Sequence, residues 1–243
     1  MEIKDPGFEY KNVIQITEQD ASRKFIANVF LWMFVALGIS AICAYVFSQN
    51  QALYQMLRDP ETGRNTGLGT LVMFAPLAFV LIISFGFQRL SYAVAALLFV
   101  AFSAVMGISL SYILIVYTAG SVIGVFVTTS VVFGIMAIAG YTTNTDLTKF
   151  GSLMMMGLIG IIVASLFNMF IGSTQLEYII SYIGIAVFVG LTAYDVQKLK
   201  RIGAGLEYGD ASAGKMALLG GLTLYLDFIN LFLMILRLFG RRR

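Results

Sequence analysis

Asp195 and Asp227 are the two residues placed to do chemistry, because each stands in a long run without charge. Asp195 follows 17 uncharged residues, 178–194, and Gln197 and Lys198 come just after it. Asp227 has 11 uncharged residues before it and nine after it. An ionisable group inside an apolar span costs about 2.5–3.5 kcal/mol, so by default it marks a functional site with a partner nearby. Two carboxylates brought together out of bulk water titrate as a unit, because burial and mutual repulsion both disfavour the doubly ionised state. Such a pair holds a shared proton or a cation, and its oxygens suit a hard cation such as Ca²⁺ better than zinc or copper. A plainer reading stands beside this one. Asp195 could be a helix-end carboxylate meeting Lys198 and water, and Asp227 could be held by a buried polar neighbour.

Other chemistry is excluded by composition. The chain of 243 residues has no histidine and one cysteine, Cys43, which lies between Ile42 and Ala44. Histidine-based triads, imidazole pH switches, disulfide frameworks and zinc clusters are therefore ruled out. Hydrophobic residues make up 59% of the chain and charged residues 12%, against roughly half and a quarter in a soluble domain. The charge is too sparse to coat a globular surface.

The elements that must position the aspartates are membrane spans. About 20 apolar residues are needed to cross the hydrocarbon core, and seven stretches qualify: 25–47, 68–87, 91–117, 121–140, 151–171, 178–194 and 216–238. The fold expected is an all-α integral membrane protein, a seven-transmembrane-helix bundle. A polar tail, 1–24, precedes the transmembrane domain, 25–238, and a basic tail, 239–243, follows it. The first span is too long for a cleaved signal peptide and is expected to stay as an anchor. Residues 88–90 and 118–120 are tight links, whereas 48–67 and 196–215 read as longer solvated turns. Gly120 and Gly124 form a small-xxx-small pair suited to close helix packing, and Pro76 suggests a kink in the second span.

Loop charge gives the orientation. With the N-terminus in the cytoplasm, the inner segments hold Lys4, Lys11, Arg23, Lys24, Arg89, Lys149, Lys198, Lys200, Arg201 and Lys215, and the outer loops only Arg58 and Arg64. Arg237 and Arg241, Arg242 and Arg243 then fall outside, against the rule. Seven full crossings are favoured over a re-entrant last segment.

Two stretches resemble the signatures of the Bax inhibitor-1 (transmembrane Bax inhibitor motif) family, most closely its bacterial members. They are Gly190-Leu191-Thr192-Ala193-Tyr194-Asp195-Val196-Gln197-Lys198 and Leu222-Thr223-Leu224-Tyr225-Leu226-Asp227-Phe228-Ile229-Asn230-Leu231-Phe232. The likeness runs from about Arg23 to Arg243 and includes Gly140-Tyr141-Thr142-Thr143. It implies a bundle whose C-terminal helix is central, and a pH-sensitive calcium leak in the bacterial inner membrane with Asp195 and Asp227 as sensor and ion site. It also implies a basic latch at the end of the second span, for which Arg89 is the candidate; the alternative for Arg89 is a positive-inside anchor. The partners expected are the bilayer, Ca²⁺ and protons, with no cofactor, no enzymatic activity and no nucleic acid.

Two other readings compete. An intramembrane aspartyl protease also pairs Tyr-Asp on one span with an aspartate on the next. Here, however, Leu224-Tyr225-Leu226 stands where that family has Gly-x-Gly, and its Pro-Ala-Leu element is missing. The second alternative is a non-conducting protein that modulates a membrane protease or stress response. One geometric difficulty also arises. If the last span starts at Met216, Asp227 lies roughly 16 Å above the inner end, and Asp195 lies much closer to it. The pair meets only if that helix starts later, near Gly220-Gly221, or if Asp195 is drawn deeper while Lys198 snorkels.

Overall fold

The computed structural model describes residues 18–206 and 211–243. Among the described residues eight helices follow one another: α1 Glu18–Gln49, α2 Gln51–Leu57, α3 Gly67–Gly86, α4 Tyr92–Val116, α5 Ala119–Thr142, α6 Thr148–Ile171, α7 Thr174–Ala204 and α8 Ala211–Phe239. Seven of them, all but α2, are long and apolar enough to cross a membrane. The chain is an all-α membrane protein. Of the expected N-terminal tail, residues 1–17 lie outside the described residues, as do 207–210 between α7 and α8.

The boundaries depart from the sequence reading where polar residues are helical. The segment 48–67 is not all turn, because Asn50 caps α2 by accepting hydrogen bonds from the Ala52 and Leu53 amides at 3.0 and 3.3 Å. The segment 196–215 is mostly helix: α7 continues to Ala204 and α8 begins at Ala211. Lys, Arg, Gln and Leu are good helix formers, and Gln197, Lys200 and Arg201 find partners on the end of α5 and the α5–α6 link. Gly120 and Gly124 face open space and make no close helix contact. The tight approaches lie elsewhere. Gly107 sits against the Ser40 backbone, and Gly140 against the Ala193 backbone.

The two helices that bear the aspartates are the most buried, whereas α6 is almost wholly exposed to its surroundings. The main partners of α8 are α1, α4, α5 and α7, with α3 packed outside on α4 and α6 outside on α7. The C-terminal helix expected to be central thus packs against four of the six other spans. α1 and α4 run in the same direction: Trp32 meets Tyr92 and Phe99, and farther along Ser40 meets Gly107. The face holding the start of α1 is called the near face below. Ser22 Oγ donates to the Lys200 carbonyl at 3.0 Å, which puts the end of α7 on that face. The other end of α8 reaches the far face, where the Thr118 amide donates to Arg241 O at 3.0 Å and the Arg243 amide to Val116 O at 2.9 Å. α8 thus passes from one face of the bundle to the other and does not re-enter.

A buried polar clamp fixes the rotation of α8. Tyr225 is fully buried against Phe99 and Phe102. Its hydroxyl lies 2.7 Å from Ser40 Oγ, which is itself 2.7 Å from the Ser103 carbonyl. A carbonyl only accepts, so the single Ser40 proton goes to Ser103 and Tyr225 must donate to Ser40. Tyr225→Phe then removes one hydrogen bond and is expected to cost about 1 kcal/mol. Ser40→Ala leaves the Tyr225 O–H buried without its acceptor and is expected to cost about 2–3 kcal/mol. Thermal unfolding in detergent checks the order; a larger loss in Tyr225→Phe would reverse the assigned donor.

Candidate functional site

Each aspartate is held by anchoring its neighbours to other helices. On α7, the Ala193 backbone packs against Gly140 of α5, and the Tyr194 ring lies over Gly151 of α6. A side chain at either glycine would occupy that space, so α5 and α6 close on α7 just before Asp195. On α8, Tyr225 is clamped by α1 and α4, and Phe228 packs edge-on against Phe126 and Phe133 of α5, with centroids 5.4 and 5.5 Å apart. Asp227 lies between these two anchors.

The carboxyl groups of Asp195 and Asp227 face each other within hydrogen-bonding reach. Their residues are only 7% and 6% exposed. Asp227 Oδ2 is buried with no hydrogen-bond partner. Lys198, one turn along α7 and exposed, is the cation that acts on Asp195. The depth difficulty is resolved because both helices run on past the apolar region, α8 farther than α7: Asp227 stands 16 residues, about 24 Å, after Ala211. Asp195 stands nine residues before Ala204, which places it about 13 Å inside the helix end. It is drawn deep while Lys198 remains exposed, and α8 does not need a late start.

A polar network lies one to two turns below Asp195. Gln197 Nε2 donates to Thr145 O at 2.7 Å, and Gln197 Oε1 accepts from the Leu147 amide at 2.9 Å. Lys200 Nζ donates to Tyr141 O at 2.7 Å. Arg201 pairs with Asp146 at 2.8 Å and also donates to Gln197 and Thr148. These bonds fasten the α5–α6 link to α7. The Thr148 hydroxyl and amide, with Arg201, hold the Asp146 carboxyl down at about 2, below its ordinary 3.8. A depressed carboxylate contributes what stability it has above its unfolded value and loses it as pH falls through the folded one. Asp146 therefore stays ionised across pH 5–8. Asp146→Asn is expected to leave unchanged the midpoint of any flux titration in that range; a displaced midpoint would make Asp146 a sensor.

The family described as "Inhibitor of apoptosis-promoting Bax1" matches residues 22–243. The chain belongs to this Bax inhibitor-1 family. Among its relatives, "Inner membrane protein YbhL" of Escherichia coli is 46% identical over 220 residues, covering 90% of this chain and 92% of that protein. A protein of Borreliella burgdorferi is 42% identical over 220 residues, covering 90% and 93%. An "uncharacterized membrane protein" of Streptococcus pyogenes is 33% identical over 232 residues, covering 93% and 96%.

Within the Bax inhibitor-1 frame, the structure brings Asp195 and Asp227 together and leaves Arg89 apart. Arg89 is exposed in the turn after α3, and among the described residues no ion pair joins it to either aspartate. The network of Gln197, Lys200, Arg201 and Asp146 escaped the sequence reading, which took Gln197, Lys200 and Arg201 for part of a solvated turn and gave Asp146 no role. The signal that could have found them is the spacing of Gln197 and Arg201, four apart on one helical face.

Proposed function

We propose that this protein is a pH-sensitive calcium leak of the bacterial cytoplasmic (inner) membrane, passive and non-enzymatic, with its N-terminus in the cytoplasm. The observation that supports this reading is the facing aspartate pair. Two ionised carboxylates offer four acceptor oxygens and no donor, so at this range they need a shared proton or a cation between them. The orphaned Asp227 Oδ2 points to the same need. Among the described residues no third acidic, cysteine or histidine side chain joins them in a metal-binding group. Ca²⁺ prefers six to eight oxygens, so the pair suits an ion in passage better than one permanently held. The closed state is the linked one, with one proton shared; loss of that proton, or arrival of a cation, unlinks α7 from α8. Loop charge and the named inner-membrane relative support the membrane and the orientation.

Ion flux tests this directly. Vesicles containing the purified protein are expected to take up Ca²⁺ at a rate that changes strongly across about pH 5–8. No flux above protein-free vesicles, or flux unchanged in the Asp195→Asn and Asp227→Asn double variant, would overturn the reading.

A further inference from the structure

α1 and α5 both pack against α7 and α8 yet barely touch one another. Two cavities of opposite character border the crevice between them, the first walled also by Leu110, Ile113 and Leu114 of α4. Toward the far face lies one of about 350 Å³, walled by Leu37, Ala41, Val122, Phe126 and Phe232 and almost wholly apolar. At the near face lies a second, of about 480 Å³, lined by Arg23, Tyr141, Asn144, Gln197, Lys200 and Arg201. The near cavity has three cationic side chains in its wall and, among the described residues, no carboxylate. Asp146 stands outside that wall, bound to Arg201.

We propose that the near-face cavity binds the phosphate of an anionic phospholipid, whose acyl chains lie in the crevice between α1 and α5. Three features argue for this ligand. First, the donors remain in surplus. Lys200 spends one of its three N–H groups on Tyr141 O, and Arg201 spends three of its five on Thr148, Asp146 and Gln197. Second, the cavity lies where α1 begins and where α5 and α7 end, which is headgroup depth for a bundle of this length. Basic pockets between helices at that depth suit anionic headgroups, and each cation adds about fivefold in affinity. Third, beyond the cavity α1 and α5 carry exposed apolar side chains, among them Leu31, Phe34, Ile135 and Ile138, which a soluble anion would not use. A bound phosphate competes with Asp146 for Arg201, so the site and the link between α7 and the α5–α6 segment are coupled. The site stands whether or not the aspartate pair passes ions.

Native mass spectrometry of the detergent-purified full chain, with phosphatidylglycerol, phosphatidylcholine or inorganic phosphate added separately, tests the assignment. Phosphatidylglycerol is expected to be retained and to raise the unfolding temperature, with phosphatidylcholine ineffective. Arg23→Gln and Lys200→Gln are each expected to weaken retention about fivefold. Asp146→Asn removes the competitor for Arg201 and is expected to strengthen it, which a merely structural loss would not do. Equal retention of both lipids, or unchanged retention in both cation variants, would overturn the site. Displacement of phosphatidylglycerol by millimolar inorganic phosphate, with the same stabilisation, would overturn the lipid assignment in favour of a soluble phosphate.

Discussion

Asp227→Asn is expected to flatten the pH dependence of cation flux, reducing its range across about pH 5–8 by at least tenfold. The substitution keeps the shape of the side chain and supplies an amide N–H in place of the shared proton. That introduced amide would donate to Asp195 at every pH and hold α7 and α8 in the linked state. Asp195 has Lys198 acting on it, whereas Asp227 has an oxygen with no partner, so the loss at position 227 is the larger. A bias of about 1.4 kcal/mol moves a two-state population tenfold. The variant should fold, since a neutral isostere replaces a buried ionisable group, and its unfolding temperature should not fall. A flux profile with the midpoint and steepness of the parent would refute the sensor.

Gly140→Val is expected to cost about 3 kcal/mol of stability and to disturb the aspartate pair. A Cβ at Gly140 would come within 2.8 Å of the Ala193 carbonyl carbon and Cα and overlap its oxygen. Those atoms are backbone and cannot swing aside, so α5 and α7 must separate. Ala193 lies two residues before Asp195, and the separation turns that carboxyl away from α8. Gly124→Val is the control, because nothing lies within 4 Å of the position. Thermal unfolding and Ca²⁺ flux of the two variants read the effect. Equal stability of both would mean that the α5–α7 approach is not what holds Asp195 in place.

The spans were legible because bilayer crossing demands long uncharged apolar runs, and nearly all the charges of this chain lie outside them. Asp195 and Asp227 were legible for the same reason, as exceptions to the runs. Their meeting was not, because hydropathy marks where a helix leaves the apolar region and not where it stops. The stretch from Val196 to Ala204 is polar and still helical, held by Gln197, Lys200 and Arg201 to the α5–α6 link. Glycine spacing misled in a similar way. Gly120 and Gly124 have the pattern of a packing motif and face open space, whereas Gly140 has no paired partner in sequence and makes a close contact. Close approach depends on which neighbour lies opposite, which no local pattern encodes. The clamp of Ser40, Ser103 and Tyr225 joins residues up to 185 positions apart and has no sequence signature.

The short segment after α8 restricts how this bundle can move. Its backbone is moored to the α4–α5 link by the Thr118–Arg241 and Arg243–Val116 hydrogen bonds, and the Arg241 amide also donates to Ser121 Oγ at 2.9 Å. A piston stroke of α8 by one turn, about 5.4 Å, would break all of them together. Axial sliding is thus the costly degree of freedom for the helix that bears Asp227. The stationary member of the aspartate pair is Asp227, and whatever parts the two carboxyls must do so by tilting or swivelling the α7 side, around a fixed post.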